Sequence, residues 1–571
     1  MKSKLYTQKN SLLLILIIVF SSYNIMKKTN ADPLINLTQK EISIKKRSTN
    51  PYLGLYLSSL AAANDGDFSK AFEFSVSALK NNPKDIELMK NALKMSLYSG
   101  EIQQSSQLAS TIELNDEKLK SINLIPTIVM QLQRNDIDSA KQVSKLLDVQ
   151  NHHVLITKVI EAWHYNNLNQ YAYSLTILDQ LSNDLQDISN EAALFISIQA
   201  LIISSLNKNL KETQKRYNQV LINFDNFPVR FLLPLAKTIY SNGDKEKGLR
   251  LLEENLSKNY DLNKAILFLK NKNNYSSILS ISSTIFEAGL MVARSKGFLS
   301  AVPYFWCSVE LNPDYIESRL LLATFFSEIN QHPKALEVLD NNYIHSPYFP
   351  LIAFEKSYIY EQLGKFDLAK DVISKFHNHE SFNNQAMLRT ANILRKENKL
   401  SESILIYENL IKNPSPPLET YYFHSVALVQ NQDWERAINS LDALINKIPN
   451  SAEVLNFVGY ILVDKSDRVE EGLSYIEKAI ELDPQNGFFL DSLGWAYYKL
   501  QKIDKAIYYL ERAVELEPQE AEITSHLGDA YWESKRYKEA MVQWKRALTL
   551  NGVDILLNEI KSKLQRKVND N

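Results

Sequence analysis

The stretch "LGWAYYKLQKIDKAIYYLERAVELEP", residues 493–518, contains two apolar segments with helical spacing joined by the polar turn "QKID". Gly494 lies inside the first segment, although glycine costs roughly 0.5–1 kcal/mol relative to alanine in a helix interior. Ala506 and Pro518 follow at intervals of twelve residues. A small residue with low helix propensity inside a helical segment indicates a close contact between two helices. The proline, which cannot continue a helix, indicates where the second helix ends.

This spacing recurs along the carboxy-terminal half of the chain with a period of 34 residues, lengthened to 35 once. The small residues in the phase of Ala506 are Ala301, Ala335, Ala369, Ser403, Ala437, Gly472, Ala506 and Ala540. Prolines in the phase of Pro518 are Pro313, Pro347, Pro449, Pro484 and Pro518. Since chance would not keep one phase through eight units, the period indicates a repeat architecture.

The pattern of a small residue early, alanine in the middle and proline at the end resembles the tetratricopeptide repeat (TPR) family, whose unit is a pair of helices. One helical hairpin cannot bury its apolar face alone, so successive hairpins stack on their neighbours. The resemblance predicts an all-α fold, a TPR superhelical solenoid of about 12–14 helical hairpins with a C-terminal capping helix.

The phase divides the solenoid into regions. Residues 50–174 carry looser TPR-like repeats, 175–288 carry irregular helical repeats without a clear phase, and 289–551 carry the regular C-terminal TPR repeats. Residues 552–571 are predicted to form the capping helix. Pro/Gly/Ser-rich linkers do not separate these regions in the sequence.

The first 31 residues have the order of a secretory signal peptide: lysines, the apolar run "SLLLILIIVF", and Thr29 and Ala31 before Asp32. The apolar run is shorter than the ~20 residues that span a bilayer. We therefore expect cleavage and a periplasmic protein; the alternative is an uncleaved anchor that holds the protein on the inner membrane, facing the periplasm. Residues 32–49 are expected to be a flexible leader. A cysteine does not follow the apolar run, which argues against lipid attachment there.

Composition and motifs argue against several functions. The net charge is −2 with both signs mixed along the chain, so we expect no nucleic-acid partner. The single cysteine, Cys307, is predicted to be buried. The pairs His152–His153 and His377–His379 lack metal-ligand spacing, and nucleotide-binding or nucleophile-elbow motifs are not found. We expect no enzyme activity, no cofactor and no metal.

In TPR arrays the first helix of each hairpin lines a concave groove. Carrying the family's groove positions onto this chain predicts a partner-binding surface for a protein or peptide. Its residues are Asn456, Tyr460, Phe488, Asp491, Trp495, Tyr498, His526, Asp529 and Trp532. The same groove positions also hold Lys499, Glu522, Ser525 and Glu533. Large aromatic side chains mixed with carboxylates are typical of interaction hot spots. The alternative is that Trp495 and Trp532 pack between hairpins.

Residues 452–550 resemble a more specific group. The longer turn "DKSDRVEEG", followed by "SLGWAYYKL" and "HLGDAYW", is similar to the carboxy-terminal end of exported proteobacterial TPR proteins. That group includes the outer-membrane lipoprotein that acts as adaptor for a periplasmic carboxyl-terminal processing protease, whose lipidation cysteine this chain lacks. The resemblance implies a non-enzymatic scaffold that binds such a protease and its envelope substrates. The alternative is a scaffold for outer-membrane or cell-wall assembly unrelated to a protease.

Overall fold

The computed structural model of the protein describes residues 51–111, 117–185, 189–224, 227–271, 275–340, 343–414, 416–550 and 554–568. The predicted signal peptide and leader lie outside these ranges. The described residues fall into two compact units, 51–372 and 373–568, and the division lies within the helix Phe366–Ser374.

The helices that begin in the first unit mostly pack against the next helix in the chain. They are α1 (Pro51–Asn64), α2 (Phe68–Asn81), α3 (Ile86–Ser99), α4 (Ile102–Thr111), α5 (Glu117–Gln133), α6 (Ile137–Ser144), α7 (Asn151–Asn167), α8 (Tyr171–Asp184), α9 (Asn190–Leu206), α10 (Leu210–Asn223), α11 (Val229–Ser241), α12 (Lys245–Asn255), α13 (Leu262–Lys270), α14 (Ser277–Lys296), α15 (Phe298–Leu311), α16 (Ile316–Glu328), α17 (His332–Val338), α18 (Phe349–Gln362) and α19 (Phe366–Ser374).

The second unit continues the pattern with more regular hairpins. Its helices are α20 (Asn383–Lys396), α21 (Leu400–Ile411), α22 (Glu419–Gln430), α23 (Trp434–Lys447), α24 (Ala452–Lys465), α25 (Val469–Leu482), α26 (Gly487–Lys499), α27 (Ile503–Leu516), α28 (Ala521–Glu533), α29 (Tyr537–Thr549) and α30 (Asp554–Val568). The predicted all-α TPR-type solenoid is confirmed. Helix α30 occupies the place predicted for the capping helix and buries Ile560.

Several turns inside the hairpins share one backbone conformation. In the "QKID" turn Gln501 has a positive φ of 57°, the amide of Lys502 donates to the carbonyl of Tyr497 at 2.9 Å, and the amide of Gln501 donates to the carbonyl of Tyr498 at 3.0 Å. This pattern satisfies the last carbonyls of the first helix and reverses the chain. The same left-handed conformation recurs at Asn398, Gln432 and Lys535. These turns keep the period of the small residues, except between α24 and α25, where the longer turn has no residue with a positive φ.

Gly494 lies where the two helices of its hairpin approach each other. A Cβ atom at this position would lie 2.6 Å from Cγ of Leu510 and 3.2 Å from the carbonyl oxygen of Ala506. Gly528 stands in the same relation to Trp544, at 2.5 Å from its Cδ1. The glycines predicted to permit close helix packing are thus required by the contact itself, and Ala506 and Ala513 are fully buried beside it.

The first unit contains a contact that the repeat pattern does not predict. Helix α14 packs against α7, and α15 packs against α3, α4 and α5. The indole nitrogen of Trp306 donates to the carbonyl of Tyr98 at 3.2 Å, and Nε2 of His153 lies 2.9 Å from the hydroxyl of Tyr304. A later hairpin of the same unit therefore covers helices of the earlier hairpins.

Cys307 lies in α15 within this contact and is 1% exposed. Burial raises the pKa of its thiol above the ordinary value. The predicted burial of Cys307 is confirmed. Within the described part of the chain, no helix is both long enough and apolar enough to cross a membrane.

Candidate functional site

The first helices of three consecutive hairpins form a continuous surface in the second unit. Helix α24 contacts α26, and α26 contacts α28, in addition to the contacts that each makes inside its own hairpin. Residues at the same repeat position of these helices therefore lie in a row across the surface. All nine residues predicted for partner binding lie on α24, α26 and α28.

An aromatic stack forms the centre of the surface. The ring of Trp495 lies 4.8 Å from that of Tyr498, with 9° between the planes, and 4.2 Å from that of His526, with 19° between the planes. Trp495 and Tyr498 are half-buried, so one side of the stack faces the fold and the rest is accessible. Asp464, at the end of α24, accepts a hydrogen bond from the indole nitrogen of Trp495 at 3.1 Å.

A buried ion pair lies behind the stack. Nδ1 of His526 is 2.9 Å from Oδ1 of Asp491, which is 0% exposed. Burial of His526 opposes its protonation, but the charge and hydrogen bond of Asp491, with the carboxylates of Glu522 and Asp529, outweigh burial and raise the pKa of His526 to about 9. His526 is therefore a cation at neutral pH, stacked on the indole of Trp495.

Three buried polar atoms in a row lack hydrogen-bond partners among the described residues: Oδ1 of Asn456, Oδ2 of Asp491 and Oγ of Ser525. They come from α24, α26 and α28 at successive repeat intervals, which makes them the same position of three hairpins. Buried polar groups in folded proteins are nearly always satisfied by protein or water. This row therefore marks a place where polar partners from outside the described chain would be stabilising.

Tyr460 and Phe488 lie at the edges of the same surface. The hydroxyl of Tyr460 donates to Glu522 on α28 at 3.3 Å, and burial raises its pKa well above the ordinary value. Phe488 is half-buried and packs on the core of the unit. Tyr460 thus connects the hairpins of α24 and α28, while Phe488 is shared between the surface and the core.

Asp529 and Trp532 contact residues of the last hairpin, and Asp529 also contacts the capping helix. Asp529 accepts hydrogen bonds from the indole nitrogen of Trp544 at 3.0 Å and from Nζ of Lys563 at 2.6 Å. The ring of Trp532 lies 5.3 Å from that of Trp544 and 4.5 Å from that of Tyr537. Both side chains therefore already serve contacts within the last hairpin, and Asp529 also serves the contact with α30.

One residue of the surface, Asp464, does not lie at a predicted groove position, whereas Lys499, Glu522 and Ser525 do. Asp464, Glu522 and Ser525 share the surface, and Lys499 lies 5.1 Å from the Trp495 ring centre and 3.4 Å from Asp464. Ser525 continues the phase of Asn456 and Asp491, which is why the groove positions include it. Asp464 lies at the end of its helix, where the repeat is one residue longer and its phase is less clear.

The histidine clusters have other surroundings. Nε2 of His377 lies 2.8 Å from the hydroxyl of Thr390, and His152 and His153 are buried against Tyr304. Within the described ranges, no group of three or more His, Cys, Asp or Glu residues is arranged to hold a metal ion.

Comparison with known proteins gives a family match over part of this region. The family model described as "Tetratricopeptide repeat" matches residues 424–487 and 492–550, so these residues are tetratricopeptide repeats. They include Asn456 and Ser525, and Asp491 lies in the short gap between the two matched segments. Since TPR repeats are a protein-interaction scaffold, the match indicates protein partners for this chain.

Two curated proteins are similar over limited stretches. The TPR repeat-containing protein PA4667 of Pseudomonas aeruginosa is 28% identical over 140 residues, 24% of each chain. The probable UDP-N-acetylglucosamine–peptide N-acetylglucosaminyltransferase SPINDLY of Solanum lycopersicum is 30% identical over 108 residues, 19% of this chain and 12% of that protein. The matched stretches thus span a quarter or less of these relatives.

Solved structures match this chain at low identity and with low TM-scores. A chain in the crystal structure of the APC/C hetero-tetramer Cut9–Hcn1 is 14% identical, with 90% of this chain and 96% of that chain covered and a TM-score of 0.36. The thermophilic TPR protein TTC0263 of Thermus thermophilus is 23% identical, with 32% and 99% covered and a TM-score of 0.29.

Proposed function

We propose that this protein is a non-enzymatic adaptor of the bacterial cell envelope that holds an extended segment of a protein partner on α24, α26 and α28. The partner we propose is a periplasmic processing protease, together with the substrates delivered to it. The observation that carries the binding mode is the row of buried, unpartnered atoms on Asn456, Asp491 and Ser525. An extended peptide presents backbone amide and carbonyl groups at regular intervals, and such groups would satisfy this row.

The aromatic stack supports the same binding mode. Trp495 and Tyr498 are half-buried aromatic side chains beside the row, and hot spots of protein interfaces are enriched in such residues. Because Asp491 is paired with the His526 cation, the stack lies over a neutral pair rather than a free carboxylate. Asp464 and Lys499 add one charge of each sign at the rim. This surface fits a segment with apolar side chains and a polar backbone better than a strongly charged one.

The occupied surface of the first unit also favours the C-terminal repeats as the binding site. There α14 and α15 already cover helices α3, α5 and α7. A partner would have to displace contacts such as the one between Trp306 and Tyr98, whereas the row in the second unit has no such occupant among the described residues.

Export and the protease partner rest on sequence resemblance. The amino-terminal segment has the order of a signal peptide, and residues 452–550 resemble exported TPR adaptors. The activity in the name of SPINDLY does not transfer to this chain, because the similarity covers 12% of that protein. Mass spectrometry of the native protein tests export: we expect a chain that begins at Asp32, and an intact Met1 would favour the anchored alternative.

Site-specific crosslinking in the cell tests the binding surface and the partner together. We would replace Tyr498, which is half-buried in the stack, by a photo-reactive phenylalanine derivative. The control position is Tyr508 on α27, which is an aromatic residue of the same hairpin and 60% exposed. We expect a crosslink to a periplasmic protease from position 498 and not from position 508.

The outcomes separate the two candidate functions. A crosslink from position 498 to an outer-membrane or cell-wall assembly protein would replace the protease by the alternative scaffold function. Equal crosslinks from both positions, or a crosslink from position 508 alone, would contradict the assignment of the binding surface.

A further inference from the structure

The first unit contains a cavity of about 400 Å³ in the region whose repeats are irregular. Helix α9 contributes Phe195, Ile198 and Ile202, α11 contributes Phe231 and Lys237, and the start of α14 contributes Leu279. The segment that follows α15, with Asp314, the start of α16, with Glu317, and the segment before α18 close other sides of it. Ligand pockets of known proteins commonly have volumes of about 300–1,000 Å³ and mostly apolar walls.

Lys237 is the unusual residue of this cavity. It is 6% exposed, and it makes no salt bridge or hydrogen bond with any described residue. Its ammonium lies 4.4 Å from the ring centre of Phe268 and 5.9 Å from that of Tyr275. The hydroxyl oxygen of Tyr275 is itself buried without a hydrogen-bond partner among the described residues. A buried lysine without a carboxylate partner is rare, because an unpaired charge is costly to remove from water.

The other cation of the cavity differs in this respect. Arg230 lies on the same helix, about 10 Å from Lys237 along the axis by the usual rise per residue. Its guanidinium pairs with Glu287 at 2.7 Å and with Glu191 at 2.9 Å. The charge of Arg230, at one end of the cavity, is therefore neutralised by carboxylates of this chain. The charge of Lys237, at the other end, is not. Burial also lowers the pKa of Lys237, and no carboxylate of the described chain acts against it.

We propose that this cavity binds a small amphipathic carboxylate, with the carboxylate paired to Lys237 and the apolar body lying along Phe195, Ile198, Ile202 and Phe231. The carboxylate would accept hydrogen bonds from the ammonium and from the Tyr275 hydroxyl, which satisfies both unpartnered groups at once. The apolar walls would bury the rest of the molecule. This site is independent of the surface on α24, α26 and α28, and its test does not involve a protein partner.

Calorimetric titration of the full-length protein with octanoate tests the proposal, with octanol as the neutral comparison. We expect octanoate to bind at least about tenfold more tightly than octanol, since a hydrogen-bonded charge pair is worth that much. The variant Lys237→Met should lose this preference while its affinity for octanol is kept. Lys237→Gln, which keeps a donor without the charge, should behave in the same way.

The matched control is Lys334→Met. Lys334 also lies over an aromatic ring, that of Trp306 at 5.5 Å, but it pairs with Glu337 at 2.7 Å. This variant should bind octanoate like the natural protein. Removal of an unpaired buried charge should leave the melting temperature of Lys237→Met unchanged or higher, which separates loss of binding from loss of folding. The proposal is overturned if octanoate fails to bind, if acid and alcohol bind equally, or if Lys334→Met weakens octanoate binding as much as Lys237→Met.

Discussion

The imidazole of His526 lies nearly parallel to the indole of Trp495 with the ring centres 4.2 Å apart, while its Nδ1 lies 2.9 Å from Asp491. One side chain thus connects the accessible aromatic stack to a fully buried carboxylate. Because Asp491 and His526 come from neighbouring hairpins, the pair also joins the repeat of α26 to that of α28. The protonation state of this pair should therefore affect both the free energy of unfolding and the structure of the binding surface.

The stability of the second unit should fall as the pH rises through the titration of His526. The folded pKa of about 9 lies above the ordinary value of 6.5, so the stabilisation is fully present below pH 6.5 and is lost as the pH rises through 9. A shift of this size corresponds to a free energy on the order of 3 kcal/mol. Urea unfolding at pH 6.5 and 9.5, together with an NMR titration of the His526 ring, measures both quantities.

The double variant Asp491→Asn/His526→Gln is the control for this prediction. It keeps side chains of similar size but removes both charges. Its free energy of unfolding should lack the fall between pH 6.5 and 9.5. A fall of equal size in this variant would assign the pH dependence to other groups.

A second prediction concerns the close approach of α26 and α27. Gly494→Ala should lower the free energy of unfolding by roughly 1–3 kcal/mol, because the new Cβ would lie 2.6 Å from Leu510 and the hairpin would be overpacked. The matched substitution Gly54→Ala in α1 meets nothing within 4 Å and should stabilise by about 0.5–1 kcal/mol through helix propensity. Thermal unfolding of both variants checks that Gly494→Ala is destabilising and that Gly54→Ala is stabilising. If Gly494→Ala were also stabilising, the contact would be looser than the structure indicates.

The positions of Gly494, Ala506 and Pro518 were sufficient to predict the helical hairpin and the period of the repeat. They also predicted which segment forms the first helix of the hairpin. These residues pack against neighbouring segments of the sequence, and packing of this kind produces a periodic pattern in the sequence. The row of Asn456 and Asp491 was predicted for the same reason. Whether these residues bind a partner stays a prediction.

Other features leave no periodic trace. The contact of His153 with Tyr304 joins residues 151 positions apart, on α7 and α15. The cavity at Lys237 is assembled from helices whose repeat phase is lost. The pairing of Asp529 with Lys563 depends on how α30 packs, and α30 lies beyond the last repeat. These features follow from tertiary packing, which a single sequence does not encode in a readable pattern.

The third prediction concerns the capping helix. Lys563→Met removes the cation that pairs with Asp529, whose side chain is only 11% exposed. The uncompensated carboxylate should cost about 1–3 kcal/mol, and because repeats interact mainly with their neighbours, the loss should be confined to α28, α29 and α30. Hydrogen exchange measured by mass spectrometry should become faster in these helices and stay unchanged in α20–α23. Adding Asp529→Asn to this variant should restore most of the protection.

The last prediction separates binding from folding at the row on α24, α26 and α28. The double variant Asn456→Ala/Ser525→Ala removes two buried groups that lack partners, and leaving such groups unsatisfied costs about 1–3 kcal/mol each. Its melting temperature should therefore stay the same or rise. If the row holds the backbone of a partner segment, affinity for the crosslinked partner should fall about tenfold or more, since about 1.4 kcal/mol corresponds to tenfold.

Asn439→Ala provides the matched control, because Asn439 is exposed on α23, the second helix of its hairpin. It should leave the affinity unchanged and raise the melting temperature only slightly, through the higher helix propensity of alanine. A structural role for the row would instead lower the melting temperature of the double variant together with its affinity. Unchanged affinity at unchanged stability would show that the partner does not use these groups, and the binding mode proposed from them would be wrong.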